Sequence, residues 1–116
     1  MTNKIKIVYF ATPDIGLKSL EYLYNSDRID VMAVVTQPDK PAGRGKKLRM
    51  SPIKEFAIQH DLPVYQPKYI RKEPDMIDAL RKYEPDFFVT FAFGQILSQE
   101  VLDVPKFETI NLHASL

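Results

Sequence analysis

The sequence contains no cysteine among its 116 residues, which excludes a disulfide scaffold and any thiolate metal site. No apolar run of the length found in secretory signals follows Met1, and no apolar stretch is long enough to span a bilayer. The net charge of +1 is too small for the whole surface to face a polyanion. We therefore expect a cytoplasmic protein without membrane attachment, in which any polyanionic partner is bound locally.

Glycine is also scarce, and none of the four glycines forms a known nucleotide-binding turn. Dinucleotide binding needs a glycine-rich turn directly after the first strand, whereas here Gly16 stands alone and is predicted to lie inside a helix. The run Gly45-Lys46-Lys47 lacks the spacing and the hydroxyl of a Walker motif. NAD or FAD binding and nucleotide hydrolysis are therefore not expected. The two histidines lie on separate predicted elements, so no metal site is expected either.

Apolar periodicity and helix-capping signals alternate along the chain. They predict strands at residues 4–10, 31–36, 62–65, 86–91 and 109–113, and helices at 12–25, 51–60, 74–83 and 98–102. Residues 37–50 are predicted to form a long loop. This alternation predicts an α/β fold with a doubly wound, Rossmann-like, mostly parallel sheet and helices on both faces. A chain of 116 residues is short for a complete α/β enzyme, so we expect the sheet to be truncated.

Polar residues at the end of the last predicted strand are the first candidates for chemistry. Asn111 and His113 are two residues apart, so their side chains share one face at the carboxyl end of what should be a central strand. An amide and an imidazolium placed there could stabilise an oxyanion. A single histidine on a strand is more often a structural residue. Ser115 has no nearby carboxylate in the sequence, so a Ser-His-Asp hydrolase is not indicated.

A second candidate is the segment that leaves the predicted strand 86–91. Residues of this segment, namely Phe93, Gly94, Gln95, Ile96 and Leu97, could line a slot for a flat heterocycle. Core packing explains Phe91, Ile96 and Leu97 at least as well. The amide of Gln95, if buried, needs hydrogen-bond partners, which a polar ligand edge could supply.

The predicted loop 37–50 carries a local excess of positive charge. Its five cations oppose the single acid Asp39, giving +4, and they are Lys40, Arg44, Lys46, Lys47 and Arg49. An ordinary solvated loop is the usual explanation of a basic cluster. The glycines on either side of Arg44, however, let the backbone approach a phosphate closely, which suits docking against a nucleic acid.

Three stretches together resemble the methionyl-tRNA formyltransferase family. They are residues 36–48, the run Ala92-Phe93-Gly94-Gln95-Ile96-Leu97, and the terminal Asn111-Leu112-His113-Ala114-Ser115-Leu116. The Asn-x-His element alone indicates the wider group of folate-dependent formyltransferases, and the basic loop narrows the resemblance to the tRNA enzymes. One departure is Ala11, which stands where the family normally has glycine in an Ala-Gly-Thr-Pro turn.

The resemblance implies a function and a set of site residues. Asn111 and His113 would be two members of a catalytic Asn-His-Asp set that moves formyl from 10-formyltetrahydrofolate to initiator methionyl-tRNA, without a metal. Ser115 and Leu116 would begin a Ser-Leu-Leu-Pro folate-binding turn, residues 93–97 would pack along the pterin, and the loop around Arg44 would reach the tRNA acceptor end.

The family also places the catalytic Asp and a C-terminal tRNA-binding domain downstream of residue 116. Residues 1–116 would then be the N-terminal part of the formyltransferase domain, inactive alone, in a full-length protein expected to be a monomer. Two alternatives remain open: a folate-dependent formyltransferase that acts on a sugar nucleotide or glycinamide ribonucleotide, and a non-catalytic nucleic-acid-binding α/β module.

Overall fold

The computed structural model describes residues 3–12, 15–42 and 47–112, with the backbone alone for 41–42 and 47–49. The strands and helices follow one another in the order β1 (Ile5–Ala11), α1 (Leu17–Asn25), β2 (Ile29–Thr36), β3 (Lys40–Ala42), β4 (Lys47–Arg49), α2 (Pro52–Gln59), β5 (Val64–Tyr65), a 3-10 helix (Ile70–Lys72), α3 (Pro74–Arg81), β6 (Phe87–Phe91), α4 (Gln99–Leu102) and β7 (Glu108–Leu112).

Five of these strands form one parallel sheet in the order β5-β2-β1-β6-β7. The chain begins in the middle of the sheet, moves outward through β2 to β5, and then crosses to the other side of β1 to form β6 and β7. This confirms the predicted doubly wound parallel sheet, with β5 as an edge strand. The order in which the chain adds strands to the sheet therefore reverses between β1 and β6. At such a switch point a crevice opens at the carboxyl ends of the two strands.

Helices cover both faces of the sheet, as predicted. Alternate residues of β1 point to opposite faces, which places Tyr9 under α1 and α2 and Phe10 under the 3-10 helix, α3 and α4. On the first face Leu20 and Ile53 are fully buried against the sheet. On the second face the ring of Phe10 lies 4.8 Å from that of Phe88. These two apolar layers fix the strands, and thereby the carboxyl edge.

The predicted start of the first helix is wrong. Helix α1 begins at Leu17 and not at Thr12, and Gly16 precedes it with a left-handed backbone at φ 95°. The Tyr9 hydroxyl donates a hydrogen bond to the Gly16 carbonyl at 2.8 Å. Because Tyr9 is buried at the sheet, this bond holds the turn against the strand, and burial raises the pKa of the hydroxyl to about 12. Gly16 is therefore a turn residue and not part of the helix.

The long loop predicted at residues 37–50 contains secondary structure. Strands β3 and β4 pair antiparallel, with Lys40 opposite Arg49 and Ala42 opposite Lys47. Strands of three residues carry too little alternation to be predicted from hydrophobic periodicity. The 3-10 helix Ile70–Lys72 also escaped prediction, for the same reason of length.

Replacement of Gly16 by alanine is expected to destabilise the fold. A Cβ atom at Gly16 would lie 2.6 Å from the Tyr9 hydroxyl, and the left-handed backbone itself costs an L-residue about 1–2 kcal/mol. We predict that Gly16→Ala lowers the free energy of unfolding in chemical denaturation by more than this backbone cost alone. In a Tyr9→Phe background, which removes the obstructing oxygen, the same substitution should cost less. Equal costs in the two backgrounds would contradict the role assigned to the Tyr9 contact.

Candidate functional site

The switch point brings together three segments that each follow a parallel strand. Thr12 follows β1, Gln37 follows β2, and Gly94 lies three residues beyond β6. A Cβ atom at Gly94 would lie 3.2 Å from Gln37 Nε2 and 3.9 Å from the Thr12 methyl group. Ala92 and Gly94 both have a positive φ, 48° and 83°, so the chain turns sharply as it leaves β6. The three segments therefore pack closely at the carboxyl edge.

The hydroxyl of Thr12 is a candidate ligand contact at this edge. It is buried, and it is the one such side-chain atom without a hydrogen-bond partner in the described part of the chain. Buried hydroxyls normally have a partner because desolvation without one costs free energy. Ala11, which replaces the glycine of the family turn, is an ordinary buried strand residue whose carbonyl accepts a hydrogen bond from Thr36 Oγ1 at 2.9 Å.

The side-chain amide of Gln95 is fully engaged by the protein. Its Nε2 donates to Gln37 Oε1 and to the Pro67 carbonyl, both at 2.8 Å, and its Oε1 accepts from the Ile70 amide at 2.9 Å. Gln37 in turn donates to the Phe93 carbonyl at 2.7 Å. The hydrogen-bond partners of the Gln95 amide are thus protein groups. Through them Gln95 joins the segments that follow β2, β5 and β6. Its contact with folate stays a prediction.

The other residues of the segment 93–97 divide between core and surface. Phe93 is 4% exposed and packs edge-to-face on Phe10 at 5.3 Å, and Leu97 packs against the same core. Ile96 is 70% exposed and Gly94 is exposed at the switch point. In this segment the surface available to a ligand is therefore provided mainly by Gly94 and Ile96, and the predicted folate contacts of all five residues stay predictions.

The base of the β3–β4 hairpin is fixed by an ion pair. Lys54 Nζ on α2 donates to Asp39 Oδ2 at 2.6 Å, and Gln66 Nε2 donates to Asp39 Oδ1 at 2.8 Å. These two hydrogen bonds, with that from Lys54 the stronger, hold the pKa of the Asp39 carboxyl below its usual range. Asp39 is therefore neutralised by Lys54 and offsets none of the charge of the hairpin.

The hairpin gathers several of the predicted RNA-contacting cations. Lys40 is exposed at the start of β3 and lies opposite Arg49, the last residue of β4. Lys47 begins β4. Arg44 and Lys46 lie outside the described residues. Antiparallel pairing thus brings Lys40 and Arg49 to the base of one hairpin, and contact with RNA stays a prediction.

Asn111 lies at the carboxyl edge beside β6. It is opposite Thr90, whose hydroxyl donates to Asn111 Oδ1 at 3.0 Å, so the buried Thr90 orients an amide that is itself exposed. Within the described sheet β7 is an edge strand and not the central strand that was expected. His113, Ser115 and Leu116 lie outside the described residues. Their roles, and that of Asn111, stay predictions.

The described residues hold no group of three or more histidine and acidic side chains able to bind a metal ion. Across the same ranges, no helix has the length and apolar character needed to cross a bilayer.

Three residues of the site, Gln37, Gln66 and Thr90, were not predicted from the sequence. Gln37 and Gln66 each come directly after a strand of the parallel sheet, β2 and β5. Because ligands bind at the carboxyl ends of parallel strands, the position directly after a strand was a signal that could have identified both residues. Thr90 gave no such signal, because its role depends on its register with Asn111.

The sequence matches a known family over nearly its whole length. Residues 4–116 match the formyl transferase family. The methionyl-tRNA formyltransferases of Clostridium perfringens (strain SM101 / Type A) and Sulfurihydrogenibium sp. (strain YO3AOP1) are 56% and 44% identical to it over 112 residues. Each alignment covers 97% of this chain and 36% of the relative. The chain therefore spans about a third of the length of these curated relatives.

Solved structures of formyltransferases share the fold. The phosphoribosylglycinamide formyltransferase from Anaplasma phagocytophilum has a TM-score of 0.67 at 17% identity, over 98% of this chain and 52% of that one. Glycinamide ribonucleotide transformylase 1 from Geobacillus kaustophilus has the same TM-score at 18% identity, over 98% and 60%. At such identities the likeness shows the fold alone.

The ion pair at the hairpin base is expected to make stability depend on pH. Because the folded-state pKa of Asp39 lies below the ordinary value of 3.8, its stabilisation is complete above 3.8 and is lost as the pH falls through the lower, folded-state value. We predict that Asp39→Asn lowers the free energy of unfolding by about 1 kcal/mol or less near neutral pH. The difference from wild type should vanish well below pH 3.8.

Denaturant titrations at the two pH values measure this difference, with Asp27→Asn on the surface as the matched control. A gap between Asp39→Asn and wild type that persists unchanged in acid would contradict the assignment.

Proposed function

The chain belongs to the formyl transferase family, and on that premise we propose that the protein containing it transfers a formyl group from 10-formyltetrahydrofolate to the amino group of methionyl initiator tRNA. The observation that carries the choice of acceptor is the 56% identity to methionyl-tRNA formyltransferases over 97% of the chain. The structural neighbours named for glycinamide ribonucleotide are 17–18% identical and bear on the fold only.

The division of labour along the protein is part of the proposal. Residues 1–116 form the N-terminal part of a formyltransferase domain, and the remaining catalytic carboxylate and a tRNA-binding domain belong to the rest of the protein. The relatives support this division, since the chain corresponds to 36% of their length. On this proposal, residues 1–116 alone have little or no transferase activity.

The proposed chemistry is acyl transfer to an amine. 10-Formyltetrahydrofolate supplies the formyl carbon, and as the methionyl amine attacks it, negative charge develops on the formyl oxygen. Asn111 and protonated His113 stabilise that charge by hydrogen bonding, while a carboxylate from the rest of the protein orients the imidazole and assists proton transfer. The hydrogen bond from Thr90 to Asn111 supports this role because it fixes the orientation of the amide.

The switch point suits a polar heterocycle such as folate. The unpartnered Thr12 hydroxyl and the exposed Gly94 lie together there, next to the exposed Ile96. Gly94 presents no side chain, so a flat ring can approach the backbone closely. The exposed backbone of Gly94 supports our placement of the donor at the β1–β6 crevice.

The hairpin suits a phosphate backbone. Its five cations are not offset by Asp39, which is held by Lys54 at the hairpin base. The hairpin follows β2 at the carboxyl edge of the sheet, the same edge at which Asn111 lies, so its positive charge is on the side of the sheet where the acceptor end of a tRNA must enter. We assign the RNA contact to Lys40, Arg44, Lys46, Lys47 and Arg49.

The catalytic role of His113 is tested in the full-length protein with 10-formyltetrahydrofolate and methionyl-tRNA. His113→Ala is expected to lower kcat by about 10²- to 10⁴-fold, because the developing oxyanion loses a charged donor, and to leave the Kd for tRNA unchanged. His60→Ala is the matched control, since His60 stacks on Phe56 at the end of α2. Loss of tRNA binding with kcat retained would reverse the assignment.

The hairpin distinguishes the acceptor classes. Deletion of Gly43 to Lys47 removes three cations, so the dependence of log Kd for tRNA on log salt should fall by about 2 to 3. Formyl transfer to methionyl-tRNA should fall with it. Replacement of the exposed Lys18 and Lys82 by glutamine is the control. The alternative acceptor would be favoured if the wild-type protein formylated glycinamide ribonucleotide and the deletion left that activity unchanged.

A further inference from the structure

A second basic surface lies beside the hairpin base, at the turn that follows β5. It consists of Lys68, Tyr69, Arg71 and Lys72, all exposed, and we call it the tyrosine patch. Lys68 Nζ lies 5.8 Å from the centroid of the Tyr69 ring, and Arg71 Cζ and Lys72 Nζ each lie 5.6 Å from it. Tyr69 is 46% exposed, so an aromatic residue with three cations around its ring lies at the surface.

The turn that carries the patch is fixed on both sides of Tyr69. The Pro67 carbonyl and the Ile70 amide both bind the side chain of Gln95, and Ile70 is fully buried. Lys68 and Tyr69 are the two residues between these anchors. An aromatic ring presented from a fixed turn loses little conformational entropy when a ligand stacks on it.

The same turn is joined to the hairpin. Gln66, the residue before Pro67, donates to the Gln37 carbonyl at 3.2 Å and to Asp39 Oδ1 at 2.8 Å. The tyrosine patch and the basic hairpin are therefore neighbours on the carboxyl edge of the sheet. Together they form one positively charged border beside the switch point.

None of the ion pairs among the described residues involves Lys68, Arg71 or Lys72. The carboxylate of Glu73 lies at the patch, where it accepts a hydrogen bond from the Tyr69 amide at 3.0 Å, so the three cations and this one acid leave a net charge of +2. The three cations around the ring repel one another. An anion placed among them is attracted to each and offsets this repulsion.

An open hollow of about 520 Å³ borders the patch but does not suit an anion. Its lining includes Lys72 together with the acids Glu73 and Asp75. The ring face and the three cations are therefore the better binding surface for a negatively charged ligand.

We propose that the tyrosine patch binds an unpaired nucleotide of the RNA substrate, with the base stacked on Tyr69 and the adjacent phosphates contacted by Lys68, Arg71 and Lys72. This proposal rests on the proposed function, which supplies an RNA as acceptor. Proteins bind single-stranded nucleic acids with exposed aromatic rings flanked by cations. Each base can stack on a ring, and each phosphate carries a negative charge. The patch thus extends the RNA contact from the hairpin to the turn after β5.

The stacking contact is tested by tRNA binding to the full-length protein. Tyr69→Ala is expected to weaken binding by about 5- to 100-fold, whereas Tyr69→Phe, which keeps the ring, should bind within about twofold of wild type. Tyr22→Ala is the matched control, because Tyr22 is 78% exposed on α1. Wild-type affinity of Tyr69→Ala, or an equal loss in Tyr69→Phe, would overturn the stacking role.

The phosphate contacts are tested by salt dependence. Replacement of Lys68, Arg71 and Lys72 by glutamine should lower the slope of log Kd against log salt by about 2, the value for three contacts to a single strand. An unchanged slope would overturn these contacts. The same loss on a blunt RNA duplex without unpaired nucleotides, or competition by polyglutamate as effective as that by RNA, would overturn the assignment to an unpaired nucleotide.

The two proposals can fail separately. If the wild-type protein does not formylate methionyl-tRNA but its RNA binding still depends on Tyr69, the proposed function fails and the patch stands. If formyl transfer is present and the Tyr69 and glutamine variants bind tRNA as wild type does, the patch fails and the proposed function stands.

Discussion

The side-chain amide of Gln95 joins three segments that follow different strands of the parallel sheet. It holds Gln37 after β2, Pro67 and Ile70 after β5, and its own segment after β6. Each of these contacts pairs polar groups that are partly buried. Because one amide makes all of them, Gln95 links the turn that carries Tyr69, the segment 93–97 and Gln37, which precedes the hairpin.

The order of the strands makes this support possible. The strands are parallel, and β1 lies between β2 and β6 because the strand order reverses there. The carboxyl ends of β2, β1 and β6 are therefore next to one another. The two apolar layers hold the strands in register, and the register sets which side chains meet, as with Thr90 and Asn111. The chemistry proposed for this edge thus depends on the two apolar layers that pack against the faces of the sheet.

The fold was predictable because its signals are local and repeated. Apolar runs with caps such as Ser51 and Ser98 predicted the helices α2 and α4, and the structure confirms both caps. The predicted start of the first helix was wrong because Thr12 and Pro13 have the residue types of a helix cap. The residue that precedes the helix is instead Gly16, with its left-handed backbone. The polar contacts of Gln95 were not predictable, since they join residues 25 to 58 positions apart whose approach depends on strand order.

Charge placement explains why two basic elements can sit at one edge of a nearly neutral chain. Asp39 and Glu73 are the acids nearest the hairpin and the tyrosine patch, and each is used internally, one by Lys54 and the other by a backbone amide. Lys54 balances the charge of Asp39, whereas the amide leaves the charge of Glu73 in place, so both elements keep a net positive charge. Since Gln66 joins Asp39 to the turn of the patch, a displacement of the hairpin base would also move Tyr69. In the proposed enzyme, the two RNA contacts and the donor segment are consequently positioned as one unit.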